Sequence, residues 1–380
     1  MSASPSPRRC LLTGAALALG LATAQTGAAT DRKPQAAIGL AASTTGSVTA
    51  KRPRGAELLA RLWPSYRDRF IRPDGRVVDN GNGNISHSEG QGYAMVLALA
   101  AHDRETFERI WKWTAKELGV RPDGLHAWRW QPDATPNVTD QNNASDGDLL
   151  MAWALGEAGL RWDEPAYTAA MRKLTAAIFK HNVTGSRIGP VLLPGANGFR
   201  PADQPDGPIV NLSYWIFPAI DRLQAMDTTQ DWAALRRSGL ALLRESRFGP
   251  LGLPSEWVSI GEKRAAFATN FERSFGYNAV RIPLYAAWSP RVASDHLRPY
   301  LTMWNAADNI GPFVIDIEDG KARETLDAPG YKMIFALAQC IAQNKAVSPD
   351  LVTRQNDLYY PATLGLLSLL AISERKPQCL

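Results

Sequence analysis

"HSEGQGYAMVLALAA" (87–101) opens a long apolar run with a carboxylate, Glu89, set among Ser88, Gly90 and Gly92. Local spacing offers one explanation. Ser86-x-x-Glu89 and Ser88-x-x-Gln91 both have the pattern of a capping box. An acid in a first turn also suits the positive end of a helix dipole. The other reading makes Glu89 a working group displayed at a helix start. Which one holds depends on what the rest of the chain brings to the same place.

Two other segments begin in the same manner. "NNASDGDLLMAWALGEAG" (142–159) opens an apolar helix with Ser145, Asp146 and Asp148, and "FERSFGYNAVRIPLYAAW" (271–288) opens another with Tyr277, Asn278 and Arg281. Asp146 and Asp148 are two residues apart, so on a helix they do not share a face. One of them can point into a common site, and Asp148 is read as a first-turn carboxylate that serves the dipole. Gly90, Gly92 and Gly147 leave room for something to approach closely.

Helical periodicity dominates the chain from Gly55 onward. Leu58, Leu59, Leu62, Trp63 and Tyr66 make the first apolar face, and comparable segments lie near 88–101, 104–118, 147–160, 165–180, 210–224, 230–245, 275–289, 295–306, 330–344 and 360–373. Extended signals are few: "RVVDNG" (76–81) and "LHAWRWQP" (125–132). Long loops rich in Gly, Pro and Asp fill 191–209 and 247–263. So many helices cannot all face one simple core. They form either a solenoid or a closed ring of inner and outer helices. A solenoid needs a fixed repeat, and none is present. In a ring, alternate helices run the same way, so the starts of the inner ones gather at one mouth.

The chain has 380 residues, 45% hydrophobic and 21% charged, a globular composition. Residues 1–29 differ. Arg8 and Arg9 precede the apolar run 11–22, and small residues ending at Ala24 or Ala29 follow. This is expected to be an export signal, too short to anchor in a bilayer, and its arginine pair permits the twin-arginine route. Residues 30–54 read as a flexible tether, and 55–380 as the folded domain. Cleavage after Ala29 leaves 40 basic and 37 acidic residues, a net +3, too mild for a nucleic-acid partner. Cys340 and Cys379 then remain, either bonded to each other or as two free thiols.

The 12 tryptophans are an unusual load. Trp128 and Trp130 share a face if 125–132 is extended, and Tyr214 and Trp257 flank the long loops. Flat rings beside carboxylates suit carbohydrate, whose C–H faces stack and whose hydroxyls need polar partners. Other chemistries lack their motifs. The five histidines show no metal-ligand spacing, "GNGN" (81–84) fails the dinucleotide fingerprint, and there is no G-x-S-x-G elbow. No metal and no cofactor are expected.

"SEGQGYAM" (88–95), "ASDGDLLMAWALGEAGLRW" (144–162), "LLPGANGF" (192–199), "NLSYW" (211–215), "SEWV" (255–258) and "GYNAVRIPLY" (276–285) together resemble glycoside hydrolase family 8. The likeness is nearest to the endoglucanases that accompany bacterial cellulose synthase. It covers roughly 55–373. It implies an all-α (α/α)6 barrel of about twelve helices, with long loops around an open cleft. It further implies endo-acting, inverting hydrolysis of β-1,4-glucan by a secreted or periplasmic monomer, without a membrane anchor, in functional association with cellulose synthase.

By matching motif, Glu89 is the general acid and Asp146 grips the sugar beside the scissile bond. Trp128, Tyr214, Trp257, Tyr277 and Arg281 line the cleft. One position departs from the pattern. Asn278 stands where the endoglucanases carry the aspartate that activates water, and an amide cannot take that proton. The base is then missing, leaving a catalytically weak glycan-binding protein, or it comes from Asp203, Asp206, Glu256, Glu262 or Glu272. A relocated base would resemble chitosanase- or xylanase-type relatives.

Overall fold

The computed structural model describes residues 54–306, 312–353 and 358–380. The expected export signal and nearly all of the tether lie outside them. Among the described residues twelve helices run α1 (Arg54–Phe70), α2 (Ser88–Ala100), α3 (Arg104–Glu117), α4 (Ser145–Trp162), α5 (Pro165–His181), α6 (Phe217–Met226), α7 (Trp232–Glu245), α8 (Arg281–Trp288), α9 (Arg298–Ala306), α10 (Pro329–Gln343), α11 (Pro349–Thr353) and α12 (Tyr359–Arg375). The even-numbered helices form the inner ring: α2 packs on α4, α4 on α6, α6 on α8, α8 on α10, α10 on α12, and α12 returns to α2. Odd-numbered helices lie outside their partners, α3 on α2, α5 on α4 and α7 on α6. This is an (α/α)6 barrel.

Burial follows position in the ring. In α2 every residue from Gly90 to Leu99 is buried, and in α4 every residue from Ser145 to Gly156. The outer α3 buries one stripe, Thr106, Phe107, Ile110, Trp113 and Thr114, the periodicity of a helix with one wet face. The three glycines that seemed to make room for a visitor instead admit protein. A Cβ on Gly92 would lie 2.5 Å from Cβ of Leu150, and one on Gly90 would lie 2.9 Å from the Tyr359 hydroxyl. One on Gly147 would lie 2.7 Å from the backbone nitrogen of Glu89.

Three helix starts differ from the sequence reading, each because a proline fixes them. The 275–289 segment becomes helical only at Arg281, because Pro283 lacks an N–H and is tolerated only in a first turn. Ser274–Phe275 is instead a short strand paired with residues 315–316. Pro218 likewise delays α6 to Phe217, after a 3-10 turn at Leu212–Tyr214, and Pro299 sits at the head of α9, after a 3-10 turn at Ser294–Leu297. Extended structure exceeds expectation. Hairpins at 183–192 and 313–325, and a three-stranded patch from 209–210, 258–259 and 266–267, decorate the loops. The 76–81 stretch contributes only single bridges, at Val77 and Asp79.

The two ends of the ring differ. At the far end the inner helices are tied off. Arg161 of α4 donates to the carbonyl of Leu99 at 2.7 Å, and Trp288 of α8 donates to Glu374 of α12 at 2.7 Å. Cys340 and Cys379 are disulfide-bonded, which fastens α10 to the chain's end. Among the described residues no helix is long and apolar enough to cross a membrane.

The contact between the starts of α2 and α4 has no slack. Gly147→Ala drives a methyl group against the backbone of Ser88 and Glu89. The expected cost is about 1–3 kcal/mol of stability, the usual range for overpacking, read as a lowered thermal midpoint. A midpoint equal to that of the parent chain would show that the two helices can part freely.

Candidate active site

The start of α2 is held by its neighbours rather than by its own serines. Ser86–His87 pairs with Arg129–Trp130, and Ser88 N donates to the carbonyl of Trp128 at 3.0 Å. The cap is His87, whose Nδ1 accepts the Gly90 N–H at 2.9 Å. The capping boxes read from sequence do not form. Ser86 is used in the strand pair, and Gln91 reaches away to Val77 N and the Thr114 hydroxyl, both at 2.7 Å. Glu89 is therefore left to turn inward.

It meets Arg281. The Nη1 of this buried guanidinium lies 2.6 Å from Oε2 of Glu89 and 3.0 Å from Oδ2 of Asp146. Nη2 donates to the Ser213 hydroxyl at 3.0 Å and to Oδ1 of Asn278 at 2.9 Å. The starts of α2, α4 and α8 and the turn before α6 thus converge on one cation, as a ring requires. Asp146 is fully buried, whereas the Glu89 side chain keeps 17% of its surface open.

The two carboxyls share this cation and are hydrogen-bonded to each other. Burial, then the adjacent charge of Glu89, push the Asp146 carboxyl up to about 8. Burial would raise Glu89 as well, but the charge of Arg281, with the hydrogen bonds from Asp146 and Arg281, pulls Glu89 down overall. The pair therefore carries one proton into the neutral range and titrates as a unit. His87 completes this environment. Burial lowers its pKa, but hydrogen bonding to Asp79 and the charge of Glu89 together raise it. While its Nδ1 caps α2 the ring proton sits on Nε2, facing Asp79 at 3.5 Å. A second proton can be added only by giving up the cap.

Asn278 precedes α8 and bridges two charges. Its Oδ1 faces Arg281. Its Nδ2 donates to Oε2 of Glu256 at 2.9 Å, and its backbone N–H donates to Oε1 at 2.8 Å. Burial raises the Glu256 carboxyl above the ordinary range, against the lowering effect of the hydrogen bonds from Asn278 and Ala279. The other acids considered from sequence are engaged elsewhere or stand apart. Glu272 pairs with Arg323 at 2.5 Å, on a loop and not on a helix. Asp203 holds the Gly198 and Arg200 N–H groups, and Asp206 holds Thr269. Glu262 is exposed on the turn at Gly261.

The aromatic residues divide. The Tyr214 ring lies 5.6 Å from the Arg281 guanidinium, within the cluster. Tyr277, 44% exposed, donates its hydroxyl to Glu324 at 2.5 Å, and its carbonyl accepts from the Tyr360 hydroxyl at 2.7 Å. Trp128 adjoins the start of α2 through its carbonyl, donates Nε1 to Asp140 at 2.8 Å and carries the Arg129 guanidinium 4.5 Å from its ring centre. Trp130 packs instead on Trp113 and Arg76. Trp257 packs on two other rings, Phe199 and Phe271, in a small cluster that ties loop to loop. Asp148 is not the simple dipole carboxylate expected. It is fully buried, accepting from the His126 backbone at 3.1 Å and from Asn143 at 2.9 Å, and so anchors the 126–143 loop to α4.

Two members of the cluster were overlooked in the sequence although spacing marks them. Tyr93 lies four residues after Glu89 and Tyr285 four after Arg281, the helical step that shares a face. Their hydroxyls hydrogen-bond to each other, and Tyr93 also accepts from Arg281 at 3.3 Å. Ser213 and His87 carried no such mark.

Comparison with known proteins agrees with this architecture. A probable endoglucanase of Novacetimonas hansenii is 37% identical over 326 residues, covering 84% of this chain and 92% of its own. The solved endo-beta-1,4-glucanase CMCax of Acetobacter xylinum superposes with a TM-score of 0.76 at 33% identity, over 84% of this chain and 99% of that one. Endoglucanase Cel10 of Klebsiella pneumoniae gives 0.75 at 34% identity, over 83% of this chain and all of its own. The sequence pattern of the glycosyl hydrolases family 8 matches residues 35–374. The chain belongs to glycosyl hydrolases family 8.

Proposed function

We propose that this chain is an endo-β-1,4-glucanase that cleaves its glycan with inversion. The relatives named above support the substrate. The observation that carries the mechanism is the pair Glu89 and Asp146, holding one proton in front of Arg281. Glu89 is the member open to a ligand, so it passes the proton to the glycosidic oxygen. Asp146, fixed by Arg281, grips the sugar beside the bond that breaks, and Tyr214, Tyr277 and Trp128 line its approach. An inverting enzyme adds water from the opposite face, with its two carboxyl groups roughly 6.5–9.5 Å apart. Asn278 occupies the position of the expected base.

The same reading places the protein outside the cytoplasm, secreted or in the periplasm. Residues 1–29 support an export signal, and the Cys340–Cys379 bond suits an oxidising compartment. A monomer working beside cellulose synthase follows from the family likeness.

The test is reducing-end release from carboxymethylcellulose, chitosan and xylan in parallel. Release from carboxymethylcellulose is expected, and release from chitosan or xylan alone would overturn the substrate. Glu89→Gln should lower turnover about 100- to 10,000-fold, the usual worth of a general acid, while glucan binding stays. Near-normal turnover would remove Glu89 from that role.

The pH profile follows from the shared proton. A carboxyl raised to about 8 keeps its proton through neutrality, so kcat/KM should fall at alkaline pH with an apparent pKa near 8. In Asp146→Asn, Glu89 remains alone beside Arg281, which pulls it down, so the alkaline limb should move to lower pH. An unmoved limb in the residual activity of that variant would show that the pair does not hold the proton.

A further inference from the structure

We propose that Glu256 is the general base of this enzyme and that Asn278 positions it. The inference rests on the glycosidase reading above and supplies the group that reading lacks. The orientation of the Asn278 amide is fixed by its partners. A guanidinium only donates and a carboxylate only accepts, so Oδ1 must face Arg281 and Nδ2 must face Glu256. Glu256 is thus joined to the acid pair through Arg281 and a single intervening side chain.

The carboxylate also has capacity left. Two carboxylate oxygens offer about four acceptor sites. The Asn278 N–H, the Asn278 amide and the Ala279 N–H take three. Gly276 makes the space, since a Cβ there would lie 3.0 Å from Oε1 of Glu256. The backbone N–H of Glu256, bonded to the Ser274 carbonyl at 2.8 Å, anchors it to the strand that leads into Asn278. The remaining site can accept a water. Its partial burial makes it a stronger base than an exposed glutamate.

The step then balances. The water oxygen bonds to the anomeric carbon, and the glycosidic C–O bond breaks with its electron pair on the leaving oxygen. That oxygen takes the proton from Glu89, and Glu256 takes the proton from water. Exchange with solvent returns each carboxyl to its starting form.

This assignment and a missing base predict opposite outcomes for Asn278→Asp. A carboxylate there would stand about 2.9 Å from Oε2 of Glu256. Like charges so close cannot both ionise, so the acid limb of kcat/KM should move to higher pH with no gain in maximal rate. A missing base would instead make this variant substantially faster than the parent.

The decisive comparison uses the whole enzyme with cellopentaose, whose leaving group needs an acid, and β-cellobiosyl fluoride, whose leaving group does not. Glu89→Gln should lose the first and keep the second. Glu256→Ala should lose both by about 100- to 10,000-fold. Azide should then restore turnover of the fluoride and yield α-cellobiosyl azide, because an anion needs no base. If Glu256→Ala fails to fold, Glu256→Gln carries the rate comparison. Wild-type rates in either variant would overturn the proposal. So would a loss in Glu256→Ala that azide does not relieve, accompanied by a lowered thermal midpoint, since a structural brace would behave that way. If the parent chain cleaves no β-1,4-glucan, the reading of function fails; if it cleaves and Glu256 proves dispensable, only the base falls.

Discussion

One buried guanidinium decides the geometry of the mouth. Arg281 meets Glu89 from α2, Asp146 from α4, Ser213 from the turn before α6 and Asn278 from its own segment. Burying such a cation is affordable only when its donors are answered. Removing a partner from a buried pair typically costs about 3–5 kcal/mol, because the remaining charge stays desolvated. The inner helices are therefore held in register with one another at the end where register matters. The Tyr93–Tyr285 contact, one turn further in, repeats the link between α2 and α8.

That arrangement also answers a conflict in the chemistry. A helix start stabilises an ionised carboxylate, but Glu89 in its proposed role must arrive protonated. Burial of Glu89 alone does not settle it, since Arg281 pulls Glu89 down. A second carboxyl does. Asp146 stands beside Glu89 on the same cation, and one positive charge cannot support two negative ones out of water. The proton belongs to the pair, and the exposed member can hand it over.

A ring of helices was legible because most of its signals are local, and the family resemblance made it an (α/α)6 barrel. Apolar runs of helical length and similar helix starts at Glu89, Asp146 and Arg281 lie within short windows, and the lack of a repeat along the chain set the solenoid aside. What escaped reading depends on distant segments. The capping box at Ser86 looked sound until the 129–130 strand claimed that residue and His87 took its place. Glu256 was one acid among five, and nothing in the sequence set it against Asn278. Their meeting depends on where the 255–258 loop runs beside the strand at Ser274. Prolines decided the helix starts, and their rule could have been applied to Pro283 from the sequence alone.

The ring is closed by its two ends. A side chain on Gly55, at the head of α1, would strike Ser373 of α12 and Leu380. The slot between α2 and α10 is filled by α12, whose Tyr359 ring stands 5.9 Å from His87. A growing chain therefore makes Glu89 and Asp146 early, on an α2–α4 pair whose α2 flank stays bare until α12 is present. Such long-range closure is slow and leaves greasy surface open in the meantime. Assembly of the mouth and completion of the ring are then one event, timed by α12, and a chain that stops short of Tyr359 keeps its acid pair on an unclosed wall.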